Sequence, residues 1–144
     1  MSDEEIMELK AAASEIVRDL DITAHPLTKF TTDENNHIKD EYFIESGDKQ
    51  RCFFEERAFD KNGVLQCDKS VSVNKIGHGL HIVNPVFRNF TMQCKIQQII
   101  DDVGLKCSVI LQSMYIFKVI PFLLIESFYW RCCSTSSRFY IYLH

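Results

Sequence analysis

Val109-Ile110-Leu111-Gln112-Ser113-Met114-Tyr115-Ile116-Phe117-Lys118 is the stretch on which the fold turns. It is rich in β-branched and aromatic residues, which suit a pleated surface, and its apolar run is interrupted only at Gln112-Ser113. Such a run reads as an interior strand buried on both faces. Immediately upstream, Gly104 stands where a helix ends on a C′ glycine. Before it, Phe87, Phe90, Ile96, Ile99, Ile100 and Val103 form an apolar stripe with a bend near Thr91. Asn84 supplies the N-cap and Pro85 the first helical position, so the spacing predicts a helix over about 85–103.

Further out, Tyr42-Phe43-Ile44 and Cys52-Phe53-Phe54 are two β-like runs joined by Ser46-Gly47-Asp48-Lys49, whose turn chemistry predicts a hairpin. Asn62-Gly63 marks a second turn. Thr31 to Lys39 is polar and without period, and His25-Pro26 ends the regular structure before it. At the N-terminus, Ser2 and Glu5 make a capping box. Ile6, Leu9, Ala13, Ile16, Val17 and Leu20 then recur at helical spacing, predicting an amphipathic helix over about 3–19. Strands and helices in this order make an α+β domain.

Downstream of Lys118 the chain changes character. Val119 to Trp130 is almost wholly apolar, Arg131-Cys132-Cys133 and four hydroxyl residues follow, and Phe139 to Leu143 is apolar again. Neither a helical nor a strand period runs through this part. Residues 1–118 are therefore one design and 119–144 a divergent hydrophobic tail.

With 144 residues, 46% hydrophobic and 25% charged, the chain has the composition of one ordinary globular domain. Its net charge of −4, without a Lys/Arg cluster, argues against a nucleic-acid surface. The acidic Ser2-Asp3-Glu4-Glu5 start does not fit a secretory signal, and the run from Val119 to Ile125 is too short for a membrane span. The six cysteines include no C-x-x-C pair, so a zinc ribbon or thioredoxin-like motif has no support. Reduced thiols in an intracellular, cytoplasmic protein are the expectation.

Each histidine can be tested as an iron ligand. A facial triad needs two His and one carboxylate, usually as a His-x-Asp pair plus a distant His. Two residues apart on a strand share a face, so one strand can supply two ligands. Here His25 is followed at that offset by Leu27, His37 by Lys39, His78 by Leu80 and His81 by Val83. His78 and His81 form His-x-x-His beside Gly77 and Gly79, which reads either as half a metal site or as a glycine-permitted turn holding two hydrogen-bonded imidazoles. His37 and Asp40 fall in the polar loop and read as solvated. Lys75, in Asn74-Lys75-Ile76-Gly77-His78-Gly79, reads either as a compact cation for a small dicarboxylate or as a solvated surface residue.

Five blocks stand in a fixed order: Tyr42 to Lys49, Phe53-Phe54-Glu55, Asn74 to His81, Asn84-Pro85-Val86-Phe87, and Gln112 to Lys118. Together they resemble the phytanoyl-CoA dioxygenase family across residues 2–118. The resemblance implies an Fe(II)/2-oxoglutarate-dependent oxygenase, with ascorbate as reductant, on a double-stranded β-helix (jelly-roll) fold. It implies that Lys75 contacts 2-oxoglutarate and that Met114 lines the same site. It implies a small-molecule substrate that the residues do not name, and nothing here reads as a CoA site.

The chain departs from the family after Lys118. There the family continues to a His-x-Asp pair, a distal His and a carboxylate-clamping Arg, whereas this chain runs into Val119-Ile120-Pro121-Phe122. The expectation is the N-terminal half of such a domain, a truncated isoform without catalytic or metal-binding residues of its own and inactive alone. Its strand at 109–117 is expected to show an unpaired edge, so the chain should be unstable or self-associate, with the tail making matters worse; the alternative is that the tail folds back as a surrogate strand and completes a small core. A second reading is a non-catalytic interaction isoform pairing through that open sheet edge, and a third a small metal module on His78 and His81.

Overall fold

The computed structural model describes residues 1–30, 41–105, 108–117 and 138–143, with the side chains of Phe30 and of 138–143 left aside. The architecture is α+β, with the longest helix, at the N-terminus, and the helices around Leu80, Phe87 and Phe90 packed on one face of a five-stranded sheet.

Helix α1 runs from Asp3 to Asp19. Its capping box is formed in both directions: Ser2 N–H donates to Glu5 Oε2 at 2.8 Å and Glu5 N–H donates to Ser2 Oγ at 3.2 Å. The helix buries Leu9, Ala12, Ala13 and Val17, with Ile16 and Leu20 packed at the margin. Lys69 caps its far end, donating to the carbonyls of Arg18 and Leu20. At the near end Lys95 donates to the Glu5 carboxylate, and that hydrogen bond holds the Glu5 carboxyl down at about 2.

Short strand β1 (Lys29–Phe30) pairs parallel with β2 (Gln50–Glu55), β2 pairs antiparallel with β3 (Val73–His78), and β3 pairs antiparallel with β4 (Ile110–Ile116). Strand β5 (Arg138–Leu143) pairs antiparallel with β4, so the order is β1-β2-β3-β4-β5. The register sets Phe53 opposite Lys75 and Lys75 opposite Ile116, while Cys52 opposes Ile76 and Ile76 opposes Tyr115. Because neighbours along a strand face opposite ways, these are two distinct faces. Cys52, Phe54, Val73, Ile76 and Tyr115 form the core with α1, Leu80, Phe87 and Phe90. Phe53 and Lys75 stand on the other face, with Met114 two residues along from Ile116.

Several local expectations hold. Asn84 Oδ1 accepts from the backbone of Val86 and Phe87 at the start of a helix with Pro85 in its first turn. Gly63 and Gly104 both take φ +80°. Asp60 Oδ1 secures the Asn62-Gly63 turn by accepting from Asn62 and Val64.

Other expectations are corrected. Tyr42-Phe43-Ile44 is not a hairpin strand: Glu41–Ile44 is a helical turn, α2, and β2 takes β3 as its antiparallel partner. A three-residue apolar run carries no period to separate helix from strand. Here the tertiary partners decide, since Tyr42 and Phe43 set their rings edge-on to Phe53 and the Arg51 guanidinium donates to the Tyr42 carbonyl. The helix expected over about 85–103 is two, α5 (Pro85–Thr91) and α6 (Cys94–Asp102), preceded by short turns α3 (Lys69–Ser72) and α4 (Leu80–Val83).

Strand β4 is interior in the sheet but not buried throughout. Within it Leu111 is 54% exposed, as is Val109 just before it at 56%, while Ser113, Met114 and Tyr115 are buried. Its pairing with β3 is confined to Tyr115 and Ile116, so its first half overhangs the covered sheet. Its outer edge carries β5, where an unpaired edge was expected. His37, Asp40, Cys107, Cys132, Cys133 and the tail before Arg138 lie outside the described residues. Among the described residues no helix is long and apolar enough to cross a membrane.

Candidate functional site

All six residues of β3 are buried, Lys75 among them at 3% exposure. This overturns the solvated-surface reading. A lysine amine is among the groups least often taken out of water, so its surroundings carry information.

The Lys75 amine lies 5.1 Å from the centroid of the Phe43 ring and 5.0 Å from that of Phe53. Ring faces attract a cation through their quadrupoles, more strongly where water is excluded. His78 Nε2 stands 3.0 Å from the amine. The other ring nitrogen, Nδ1, is 2.6 Å from Ser46 Oγ, and Ser46 Oγ is 2.5 Å from the Phe43 carbonyl oxygen. Phe43 and Phe53 also pack against the His78 ring, at 5.2 and 5.4 Å between centroids. Burial lowers the Lys75 pKa to about 7.

The local backbone explains how these groups meet. His78 N–H donates to the Ser46 carbonyl at 3.0 Å and Gly79 N–H to the Lys49 carbonyl at 2.9 Å, stitching the 46–49 turn onto the end of β3. A Cβ on Gly79 would lie 2.5 Å from the Asp48 carbonyl carbon, so only glycine permits that approach. Beside it, a Cβ on Gly77 would lie 3.4 Å from Met114 Cβ, which places Met114 against the strand that carries Lys75. Met114 is itself buried at 6% exposure.

His81 belongs elsewhere. Its Nδ1 is 2.7 Å from Ser113 Oγ, which also accepts from His81 N–H at 2.8 Å, and burial lowers its pKa. The two imidazoles are thus hydrogen-bonded to separate serines rather than turned toward one ion. His25 likewise is bound locally, accepting from Leu27 N–H at Nδ1 and lying 2.6 Å from the Tyr42 hydroxyl at Nε2.

These residues can be tested against the groups implied by the resemblance. A buried, aromatic-flanked amine fits a carboxylate, whose charge would favour its protonated form. Among the described residues no three His, Cys, Asp or Glu side chains come together as a metal-ligand set. A groove of about 470 Å³ beside α1 is lined by Glu15, Asp19 and Asp21 and by none of Lys75, His78 or Met114. Its acidic wall would repel a dicarboxylate.

Sequence reading singled out Lys75 and Met114 but missed the frame around the amine. Ser46 read only as turn chemistry and Phe43 as a strand residue. The three-residue step from Lys75 to His78 is a signal that points to no pairing until the strand end is seen.

No family model matches the chain. Among curated proteins it is 48% identical over 118 residues to the phytanoyl-CoA dioxygenase domain-containing protein 1 homolog of Caenorhabditis elegans, covering 81% of this chain and 41% of that protein. It is 44% identical over 122 residues to phytanoyl-CoA dioxygenase domain-containing protein 1 of Danio rerio, covering 82% and 42%. It is 38% identical over 117 residues to the phytanoyl-CoA dioxygenase of Arabidopsis thaliana, covering 81% and 41%. The chain thus spans about two fifths of the length of the curated relatives it matches. The recognition made from its five sequence blocks stands: this chain is a partial relative of the phytanoyl-CoA dioxygenase proteins.

Proposed function

We propose that residues 1–118 are the N-terminal portion of a jelly-roll Fe(II)/2-oxoglutarate-dependent oxygenase domain, and that this portion supplies part of the co-substrate site. Lys75 contacts a carboxylate of 2-oxoglutarate and Met114 lines the pocket beside it. The observation that carries this reading is the buried Lys75 amine, on the sheet face opposite the helix-packed core and flanked by Phe43 and Phe53.

In this reading the chain's residues bind and orient. The two rings keep water from the amine, which strengthens its attraction for a carboxylate. Met114, flexible and apolar, fills the space beside the ligand without competing for its oxygens. Iron, when bound in a complete domain, supplies the oxidising chemistry. Its ligands would come from a His-x-Asp pair and a distal His that this sequence does not contain. The substrate is a small molecule of unassigned class.

The test is a titration of 2-oxoglutarate into the chain with labelled methionine methyls. The reading expects the Met114 methyl to shift saturably while exposed Met7 does not. No shift at Met114 up to saturating ligand would overturn it. With Fe(II) and ascorbate added, the chain should form no succinate above a buffer control.

A further inference from the structure

We infer that His78, oriented by Ser46, is a positioning residue that aims the Lys75 amine at its ligand. This deepens the reading of Lys75 as the carboxylate contact and rests on it.

The argument starts from the far end of the hydrogen-bond chain. A backbone carbonyl can only accept, so the 2.5 Å approach of Ser46 Oγ to the Phe43 oxygen commits the serine hydroxyl proton to that carbonyl. Ser46 Oγ then presents a lone pair to His78 Nδ1 at 2.6 Å, which requires the proton on Nδ1. In the neutral ring Nε2 is left as an acceptor, facing the Lys75 amine at 3.0 Å. The donors therefore run in one direction, from amine to imidazole to hydroxyl to carbonyl. The tautomer is fixed by the serine rather than by the ring itself.

A neutral acceptor differs from a carboxylate in what it leaves behind. A Glu or Asp at this place would pair with the amine and cancel the charge needed for the ligand. The neutral imidazole takes one N–H and brings no negative charge of its own. It also restrains the end of a four-carbon side chain that otherwise loses much rotamer freedom when fixed. Ser46 is itself held in place by the 46–49 turn, whose backbone is stitched to His78 and Gly79. Without the serine, the ring could carry its proton on Nε2 and oppose the amine, donor to donor.

The test uses the whole chain, with the disodium salt of 2-oxoglutarate as the probe, and reads the ring and the ligand separately. Nitrogen NMR of the native chain should show His78 protonated on Nδ1, and Ser46→Ala should move it toward the Nε2 form while Ser46→Thr restores it. An Nε2-protonated His78 in the native chain would overturn the inference without any variant. For binding, Ser46→Ala and His78→Phe should each weaken affinity about 5-fold, the size of one lost net hydrogen bond. His78→Phe keeps a ring between Phe43 and Phe53. In a Lys75→Ala background neither substitution should weaken binding further, whereas a merely structural role would add its own loss. If Lys75→Ala weakens binding but Ser46→Ala and His78→Phe leave it within about 2-fold, the positioning role falls and the Lys75 reading stands. If Lys75→Ala itself has no effect, the Lys75 reading fails and the inference with it.

Discussion

At the scale of single residues, Lys75 carries most of the consequence. Its type and its position among Asn74, Ile76, Gly77 and His78 were legible in the sequence, but its burial was not, because nothing local separates a buried lysine from a solvated one. Burial came from the pairing of β3 on both sides and from Phe43, a residue that sequence reading placed in a strand. The shifted pKa has a sign that can be checked. Folded, Lys75 titrates near 7, against an ordinary lysine value of 10.5. Between those values the unfolded chain binds more protons, so stability should rise with pH, by up to about 1.4 kcal/mol per unit for one proton. Below about pH 7 the penalty of the buried charge is fully present. Lys75→Met should therefore stabilise the chain at pH 7, and its advantage should shrink toward pH 10 in denaturant melts. A pH-independent difference between the two chains would count against a buried titrating amine. Carboxylate binding should follow the same proton: affinity is flat below about pH 7 and falls above it.

At the scale of elements, the sequence was most informative where one residue type satisfies one backbone need. The Ser2–Glu5 box, the Asn84-Pro85 start, and Gly63 and Gly104 at positive φ are all of that kind. It failed at Glu41–Ile44, where a short aromatic run gains its helical turn from contacts with Phe53 and Arg51 rather than from any local preference. It also merged α5 and α6, although the bend it placed near Thr91 is where they part. The most demanding joint is between β3 and the 46–49 turn. Gly79→Ala would drive a methyl into the Asp48–Lys49 backbone, whereas a Cβ on Gly47 would meet nothing within 4 Å. Thermal melts should show Gly79→Ala destabilised by roughly 1–3 kcal/mol and Gly47→Ala near native. Equal melting of the two would mean that the turn does not pack against β3 as described.

At the scale of the whole molecule, fold class was legible and strand partnership was not. Helix and strand patterns gave α+β, and the order of five blocks gave the family, because both depend on residues close in sequence. Which strand covers β4 depends on residues at the far end of the chain. The tail, read as foreign to the design, contributes β5, whose register runs from Ile110 opposite Leu143 to Ile116 opposite Arg138. An edge left bare invites pairing with another chain. Removing residues 138–144 should therefore lower the melting temperature and shift the chain toward higher oligomers in size-exclusion chromatography. Unchanged melting with a unimolecular elution profile would show that β5 does not protect that edge.

The two-faced sheet ties these scales together: one face is closed by α1 and α5, and the other carries Phe53, Lys75 and Met114. The most direct test of that division is calorimetric titration of 2-oxoglutarate into the native chain, Lys75→Ala and Lys61→Ala, the last being an exposed change in the Asn62-Gly63 turn. A buried charge-assisted contact contributes roughly 1.5–3 kcal/mol, so Lys75→Ala should weaken binding by about 10-fold or more, with Lys61→Ala matching the native chain. Equal affinity in the two variants would contradict the assignment of Lys75 to the co-substrate site.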